Sequence, residues 1–178
     1  MQGFAPLSFL RELEWSIIKK AVLLFFIPIA FLNLSELSAC AVDVYATGGW
    51  KLTINSSCLA GGAGSGLIES FESSLDASMI NITGTSGSAD AWRVRVRKSE
   101  ALRLHGVALY VKRTGDGTGS GTISGGTSYT AVETSDVDFF DGCGDRTGIT
   151  IQYKVSGISI NVPPGIYSTT ITFTVVGR

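Results

Sequence analysis

Four aspartates lie close together in the segment DVDFFDGCGD: Asp136, Asp138, Asp141 and Asp145. Carboxylate oxygens that are gathered in a loop are the kind of ligand that Ca²⁺ takes in proteins. The order D-x-D-x-D-G of an EF-hand loop is missed, because Phe140 stands at the fifth position. The alternative is an acidic turn, or a set of counter-charges for arginines. We predict no resident metal, and these four aspartates are the candidate ligands if calcium does bind.

Three arginines alternate with apolar residues in the segment AWRVRVRK, residues 91 to 98. Successive side chains of a strand point to opposite faces, so Arg93, Arg95 and Arg97 are predicted to share one solvated face. A nucleic-acid surface would interleave exposed aromatic residues with the basic ones, and this segment does not. The formal net charge of -1 also lacks the basic excess of nucleic-acid-binding domains. We predict no nucleic-acid partner and a solvated face that packs against neighbouring Thr, Asp or Glu side chains. An anionic glycan or a cell-wall polymer is the candidate if this face does bind a ligand.

Catalytic motifs are missing from the sequence. There is no G-x-S-x-G nucleophile elbow and no H-E-x-x-H zinc motif, and His105 is the single histidine available as a base. Carboxylates such as Glu69, Glu72 and Glu133 could form a glycosidase pair, but no spacing singles one out. We therefore predict that the protein is not an enzyme, that no residue is catalytic and that no cofactor is bound.

The glycine-rich segment TGDGTGSGTISGGTS, residues 114 to 128, invites comparison with a phosphate-binding loop. It lacks the Gly-Lys-Ser/Thr ending of such a loop, and it has no G-x-G-x-x-G that opens a helix. We expect a long flexible loop or the extended tip of a hairpin.

The elements that must position these residues are strands. After residue 41, apolar residues recur with period two in the segments WKLTI, MINIT, WRVRVR, VALYV, ITIQYKV, ISINV and ITFTVV. Such alternation is typical of half-buried strands. Strands separated by Gly, Ser, Asp and Pro turns predict an all-β fold, an antiparallel two-sheet sandwich of Ig-like or pilin-like type. We expect residues 42–178 to form this single domain, with a flattened barrel as the alternative.

Residues 1–41 are predicted to be a signal peptide that forms an N-terminal helix. Lys19 and Lys20 precede the apolar run AVLLFFIPIAFLNL, which is the length of a signal-peptide core. A membrane-spanning helix would need about 20 apolar residues, and Pro28 interrupts this run. The long stretch ahead of it, residues 1–16, is interpreted as an extension from an upstream start codon, with a real N-terminal extension as the alternative. We therefore expect a secreted or cell-surface protein.

The cleavage point has two interpretations. The tripeptide ACA, which ends at Ala41, fits ordinary cleavage after small residues. The tetrapeptide LSAC resembles a bacterial lipobox, in which Cys40 would be lipidated and would anchor the protein to a membrane. We favour simple cleavage, so that membrane contact comes only from the signal peptide or from the alternative lipid anchor.

Two cysteines, Cys58 and Cys143, remain after the predicted cleavage. Export implies an oxidising compartment, in which an even pair usually forms a disulfide. Closing a loop of roughly 85 residues would stabilise the fold by about 4–5 kcal/mol on chain-entropy arguments. A zinc site is the rival interpretation, but two distant cysteines and one histidine are poor zinc ligands. We predict a Cys58–Cys143 disulfide.

The C-terminal segment PPGIYSTTITFTVV resembles the closing strand of bacterial pilin-like sandwiches, including the spore-coat-U type of secreted fibre protein. Those proteins end in a P-x-G-x-Y turn followed by alternating apolar and threonine residues. The matching positions here are Pro163, Gly165, Tyr167, Ile171, Phe173 and Val175. The middle segment, LYVKRTGDGTGSGTISGGTSY, resembles a group of small exported bacterial β-proteins. The first resemblance implies self-assembly by strand addition.

The function that follows is that of an exported structural or interaction protein, a cell-surface or fibre subunit without catalytic activity. The arm AVDVYATGG, residues 41 to 49, ends in two glycines as an exchangeable donor strand would. The alternative for the arm is that it is the first strand of its own domain. The alternative function is an extracellular glycan- or cell-wall-binding module, for which exposed Tyr110 and Tyr129 would be evidence.

Overall fold

The structure is a computed structural model, and it describes residues 42–99 and 106–178. The predicted signal peptide, the possible lipidation site Cys40 and the single histidine, His105, lie outside the described residues. Within them, no helix is long and apolar enough to cross a bilayer.

The described residues form short and long strands and one 3₁₀ turn, Ser56–Cys58. The strands are β1 (Asp43–Gly48), β2 (Ser70–Glu72), β3 (Ser78–Thr83), β4 (Ala91–Lys98), β5 (Ala108–Arg113), β6 (Thr118–Gly119), β7 (Ile123–Gly125), β8 (Thr130–Ala131), β9 (Val137–Cys143), β10 (Arg146–Ser156) and β11 (Ile171–Gly177). The prediction of an all-β domain is confirmed.

The strands make two antiparallel sheets. The first sheet has the order β1-β3-β10-β5-β8, and the short strands β2 and β6 also pair with β10. The second sheet has the order β11-β4-β9-β7. Both sheets contribute inward side chains to one hydrophobic core, which confirms the two-sheet architecture.

Trp92 lies at the centre of this core and is fully buried. Its indole Nε1 donates a hydrogen bond to the carbonyl of Gly144 at 2.9 Å, so the one polar atom of the ring is satisfied. The ring meets Phe140 edge to face, with 6.0 Å between the centroids. A Cβ atom at Gly142 would overlap the indole, because β9 passes directly over it.

Two of the predicted strands are not formed. The segments WKLTI and ISINV have no strand structure, and Ile54 and Ile160 are exposed. In the described fold, β1 is the outer neighbour of β3, and β2 is a partner of the last residues of β10. Alternation alone therefore overestimated the number of long strands.

The glycine-rich segment is not an open loop. It supplies β6 to the first sheet and β7 to the second, so it crosses from one sheet to the other. A Cβ atom at Gly117, Gly119 or Gly121 would overlap the backbone of residues 143–149. The glycines are therefore required by close backbone approach.

Two buried arginines hold this crossing in place. The Arg113 Nε donates to the Gly125 carbonyl at 2.9 Å, and its guanidinium pairs with Asp116. The Arg146 Nη1 donates to the Asp116 carbonyl at 2.9 Å, and its Nη2 donates to the Gly121 carbonyl. Because buried charges are tolerated only when they are hydrogen-bonded, these contacts tie the crossing to β5 and β10.

Candidate functional site

The outer face of the second sheet carries the predicted arginine row. Val94 and Val96 are fully buried, whereas Arg93, Arg95 and Arg97 lie on the opposite side of β4. The predicted division of this strand into a core face and a solvated face is confirmed.

Aspartates from β9 and the residue before it neutralise this row. The Arg93 Nε lies 2.6 Å from Asp141 Oδ1, and the Arg95 Nε lies 2.9 Å from Asp138 Oδ1. The Arg93 Nη1 also reaches Asp138 Oδ2 at 2.5 Å. The Arg93 hydrogen bond holds the pKa of Asp141 below its ordinary value. The face is thus a ladder of opposite charges rather than an open basic surface.

A β-bulge in β9 makes this ladder possible. Val94 pairs with Phe140 but Arg95 pairs with Asp138, so Phe139 is an extra residue on β9. Both phenylalanines are buried, and Asp138 and Asp141 lie on the same outer face. In a regular strand, residues three apart would point to opposite faces.

The four candidate calcium ligands are not gathered into one site. Asp138 and Asp141 bind arginines, and Asp136 lies 3.7 Å from the Arg97 Nε. Asp145 instead accepts hydrogen bonds from the Thr85 backbone nitrogen at 2.9 Å and from its hydroxyl at 2.7 Å. The described residues contain no group of three or more potential metal ligands. Three of the four aspartates therefore lie beside arginines as counter-charges, which is the alternative given in the sequence analysis.

The anion or glycan face of Arg93, Arg95 and Arg97 stays a prediction, and its Arg97 end is the part that carboxylates cover least. Arg97 has a looser carboxylate partner than Arg93 or Arg95. Beside it is a shallow cavity of about 480 Å³ that Lys98 and Thr172 also line.

The predicted Cys58–Cys143 disulfide is wrong for this structure, in which both residues are free thiols. The Cys58 sulfur lies in the 3₁₀ turn, 3.8 Å from the Thr53 carbonyl. The Cys143 sulfur, at the end of β9, accepts a hydrogen bond from the Thr122 backbone nitrogen at 3.3 Å. Each sulfur thus has neighbours in a different segment, and an even number of cysteines does not establish that they are adjacent. Hydrogen bonds from Thr122 lower the pKa of the Cys143 thiol.

A second candidate site lies on the outer face of the first sheet. Strand pairing places Lys154 of β10 between Glu72 of β2 and Tyr110 of β5. Tyr129, which directly precedes β8, meets Tyr110 edge to face with 6.5 Å between the ring centroids. The ammonium groups of Lys112 and Lys154 lie 4.6 and 5.2 Å from the Tyr129 centroid. The two tyrosines that the sequence analysis named are brought together.

The Tyr129 hydroxyl is buried and has no hydrogen-bond partner of normal geometry. Burial, followed by the neighbouring Glu72 carboxylate, raises the pKa of Tyr129 to about 12.

These residues border an open cleft of about 670 Å³, which we call the tyrosine cleft. Its lining includes Glu69, Ser70, Tyr110, Tyr129, Lys154 and Ser159. The chain turns at Gly157, where φ is 81° and where a Cβ atom would overlap the Gly106 carbonyl. Sequence analysis missed Glu69 and Lys154 as members of this site, because the pairing of β2, β10 and β5 has no local sequence signal.

The third feature is a pair of edge strands. β1 pairs only with β3, and β11 pairs only with β4. Most of the arm AVDVYATGG forms β1. The arm is thus the first strand of its own domain, which is the alternative interpretation given in the sequence analysis. The two edge strands lie near each other, and their inward residues are only partly buried against the core: Val44 on β1, and Ile171, Phe173 and Val175 on β11. We call this side of the domain the β1–β11 seam.

Comparison with known proteins adds no relative to these observations. No protein-family model matches the sequence, and no curated protein or solved structure is significantly similar to it. The functional proposals therefore depend on the residues and geometry of this chain.

Proposed function

We propose that the protein is an exported, non-catalytic structural subunit of the cell surface or of a fibre, with an Ig-like or pilin-like sandwich that assembles with copies of itself by strand addition. The observation that carries the proposal is the β1–β11 seam. There, two edge strands leave the inward residues of β1 and β11 incompletely covered. Proteins normally cover or blunt such edges, because an unpaired edge accepts strands from other chains.

β1 is the strand best suited to exchange. Five of its six residues are exposed, and it forms one antiparallel pairing, from Asp43 opposite Thr83 to Gly48 opposite Ser78. It ends at Gly48, where φ is 97°, and Gly49 follows. Two glycines form a hinge about which the strand can reorient. The β1 of a second copy could occupy the same register on β3 with the same contacts, as in domain swapping.

β11 lies beside β1, the strand that we propose is exchanged between copies. Its side away from β4 has no strand partner. From Ile171 to Gly177 it contains no charged residue and no proline, the usual guards of an edge. Its outward Thr172 and Thr174 are strand-forming residues. An exchanged β1 would lie beside β11 as the chain's own β1 does.

The sequence supports the extracellular part of the proposal. The basic pair Lys19 and Lys20, followed by an apolar run and small residues up to Ala41, is the pattern of an exported protein. The C-terminal resemblance to pilin-like closing strands points to the same class of protein.

A disulfide lock tests strand exchange directly. Tyr45 and Asn81 are paired residues of β1 and β3, so Tyr45→Cys with Asn81→Cys places two thiols at the separation that a disulfide needs. The background carries Cys58→Ser and Cys143→Ser to remove competing thiols. We expect the oxidised protein to stay monomeric and the reduced protein to multimerise in size-exclusion chromatography with light scattering.

The same protein in two redox states is its own control. Multimers that form equally well in the oxidised state, with the lock verified by mass spectrometry, would exclude β1 as the exchanged strand. The single variants Tyr45→Cys and Asn81→Cys, in the same background, should still assemble when they are oxidised.

A further inference from the structure

We propose that the tyrosine cleft is a binding site for a neutral saccharide, whose ring lies against the Tyr110 side chain. The cleft has a volume of about 670 Å³, within the range of sites that hold small ligands. It combines an aromatic wall of two tyrosine side chains with charged and hydroxyl groups around them.

The aromatic wall is held rigidly. The Tyr129 ring is near two ammonium groups, of Lys112 and Lys154, and it contacts Tyr110 edge to face. A cation near an aromatic face and an edge-to-face pair are both favourable, so Tyr129 is fixed and supports Tyr110. Tyr110 is half-buried on β5 and borders the cleft. A rigid aromatic surface binds the apolar face of a sugar ring at little cost in conformational entropy.

The polar groups around the wall match a polyhydroxylated ligand. Glu69 can accept hydrogen bonds, Lys154 can donate them, and the hydroxyls of Ser70, Ser156 and Ser159 can do both. A sugar hydroxyl is likewise both a donor and an acceptor, and it can pair with each of these groups.

The charges of the cleft favour a neutral ligand. Its lining holds one carboxylate, Glu69, and one ammonium, Lys154, and Glu72 lies opposite Lys154 in the strand pairing. The ammonium of Lys112 lies beside Tyr129 as well. Because carboxylates and ammonium groups are balanced at the cleft, neither an anionic nor a cationic saccharide gains a net attraction there.

The position of the cleft makes saccharide binding independent of self-assembly. Tyr110 and Lys154 lie on β5 and β10, whereas β1 is at the far edge of the same sheet. A subunit that exchanges β1 would still present the cleft. Binding can therefore be measured on a monomer, and its failure would leave the assembly proposal untouched.

The probes are tetrasaccharides of glucose, of N-acetylglucosamine and of mannose, with tetragalacturonate as the anionic comparison. Isotope-labelled protein is titrated with each probe and followed by NMR. We expect at least one neutral tetrasaccharide to shift the amide signals of residues 69–70, 110 and 154–159. Tyr110→Thr should weaken that binding about tenfold, which is ~1.4 kcal/mol, whereas Tyr110→Phe should retain it.

Tyr45→Thr is the matched control, since Tyr45 is an exposed tyrosine on the opposite edge of the same sheet. It should leave binding unchanged. The proposal is overturned if no neutral tetrasaccharide binds, if only tetragalacturonate binds, or if Tyr110→Thr, shown by its spectrum to be folded, binds as well as the unchanged protein.

Discussion

Asp141 binds the guanidinium of Arg93 through both carboxylate oxygens, with Arg93 Nε 2.6 Å from Oδ1 and Nη2 3.2 Å from Oδ2. Two parallel hydrogen bonds are the strongest arrangement available to this pair of residues. Asp141 is also 3.1 Å from the Nη1 of Arg178, beyond the end of β11. One carboxylate therefore connects β9, β4 and the C-terminal end of the second sheet.

The first prediction concerns acid stability. Arg93 depresses the pKa of Asp141 in the folded protein, so this carboxylate stabilises the fold above its unfolded pKa of about 4. That stabilisation should be lost as the pH falls from about 4 through the lower folded pKa. Asp141→Asn should flatten this part of the curve of unfolding free energy against pH. The free energy of unfolding is measured by urea titration at several pH values. If it falls with decreasing pH as steeply in Asp141→Asn as in the unchanged protein, the Arg93–Asp141 pair is contradicted.

The two faces of β4 should respond oppositely to substitution. Arg95→Thr removes one exposed ion pair and should change the free energy of unfolding by about 0–1 kcal/mol. Val94→Asp places a carboxylate in the fully buried core and should prevent folding. Thermal unfolding followed by circular dichroism compares the two variants. The face assignment fails if Arg95→Thr is the more damaging.

Gly142 should be intolerant of any side chain. The added Cβ of Gly142→Ala would overlap the indole of Trp92 and force β9 away from β4. Overpacking of this kind costs about 1–3 kcal/mol. Gly87→Ala is the control, because its Cβ would meet nothing within 4 Å. Equal urea midpoints for the two variants would mean that the strands are not packed as closely as described.

The two free thiols should differ in reactivity. Cys143 is partly exposed and its pKa is lowered by Thr122, whereas Cys58 is buried. Iodoacetamide should label Cys143 in the native protein, at a pH below that at which an ordinary exposed cysteine reacts, since the thiolate is the nucleophile. Cys58 should be labelled only after unfolding. Peptide mass spectrometry measures the labelling at both positions. A Cys58–Cys143 disulfide found in the native protein would contradict the free thiols of the structure.

The sequence predicted β4 well because its alternation is uninterrupted from Trp92 to Arg97. It predicted β9 poorly, since the consecutive Phe139 and Phe140 break the alternation and only the pairing with β4 shows that they form a bulge. The sequence therefore names counter-charges for arginines as one alternative for the aspartates, but it does not say which arginine each aspartate contacts. The alternation of apolar and polar residues within one segment indicates which side chains are buried, but it does not identify the strand that pairs with this segment.

The tyrosine cleft likewise could not be predicted from the pattern of any single segment. Tyr110 and Tyr129 could be named from the sequence as aromatic candidates, but their contact depends on the pairing of β5 with β8. Glu69 belongs to a segment whose pattern is weak, and it reaches the cleft through its neighbours on β2 and the turn at Gly157. Long-range pairing of this kind is decided by the whole fold.

Concentration-dependent assembly of residues 42–178 tests the central claim most directly. Size-exclusion chromatography with light scattering measures the mass of the purified domain from dilute solution up to its solubility limit. We predict a ladder of multimers that grows with concentration and that is lost in the protein lacking residues 42–48. A domain that remains monomeric at every concentration, with no chaperone bound, would contradict self-assembly by strand addition.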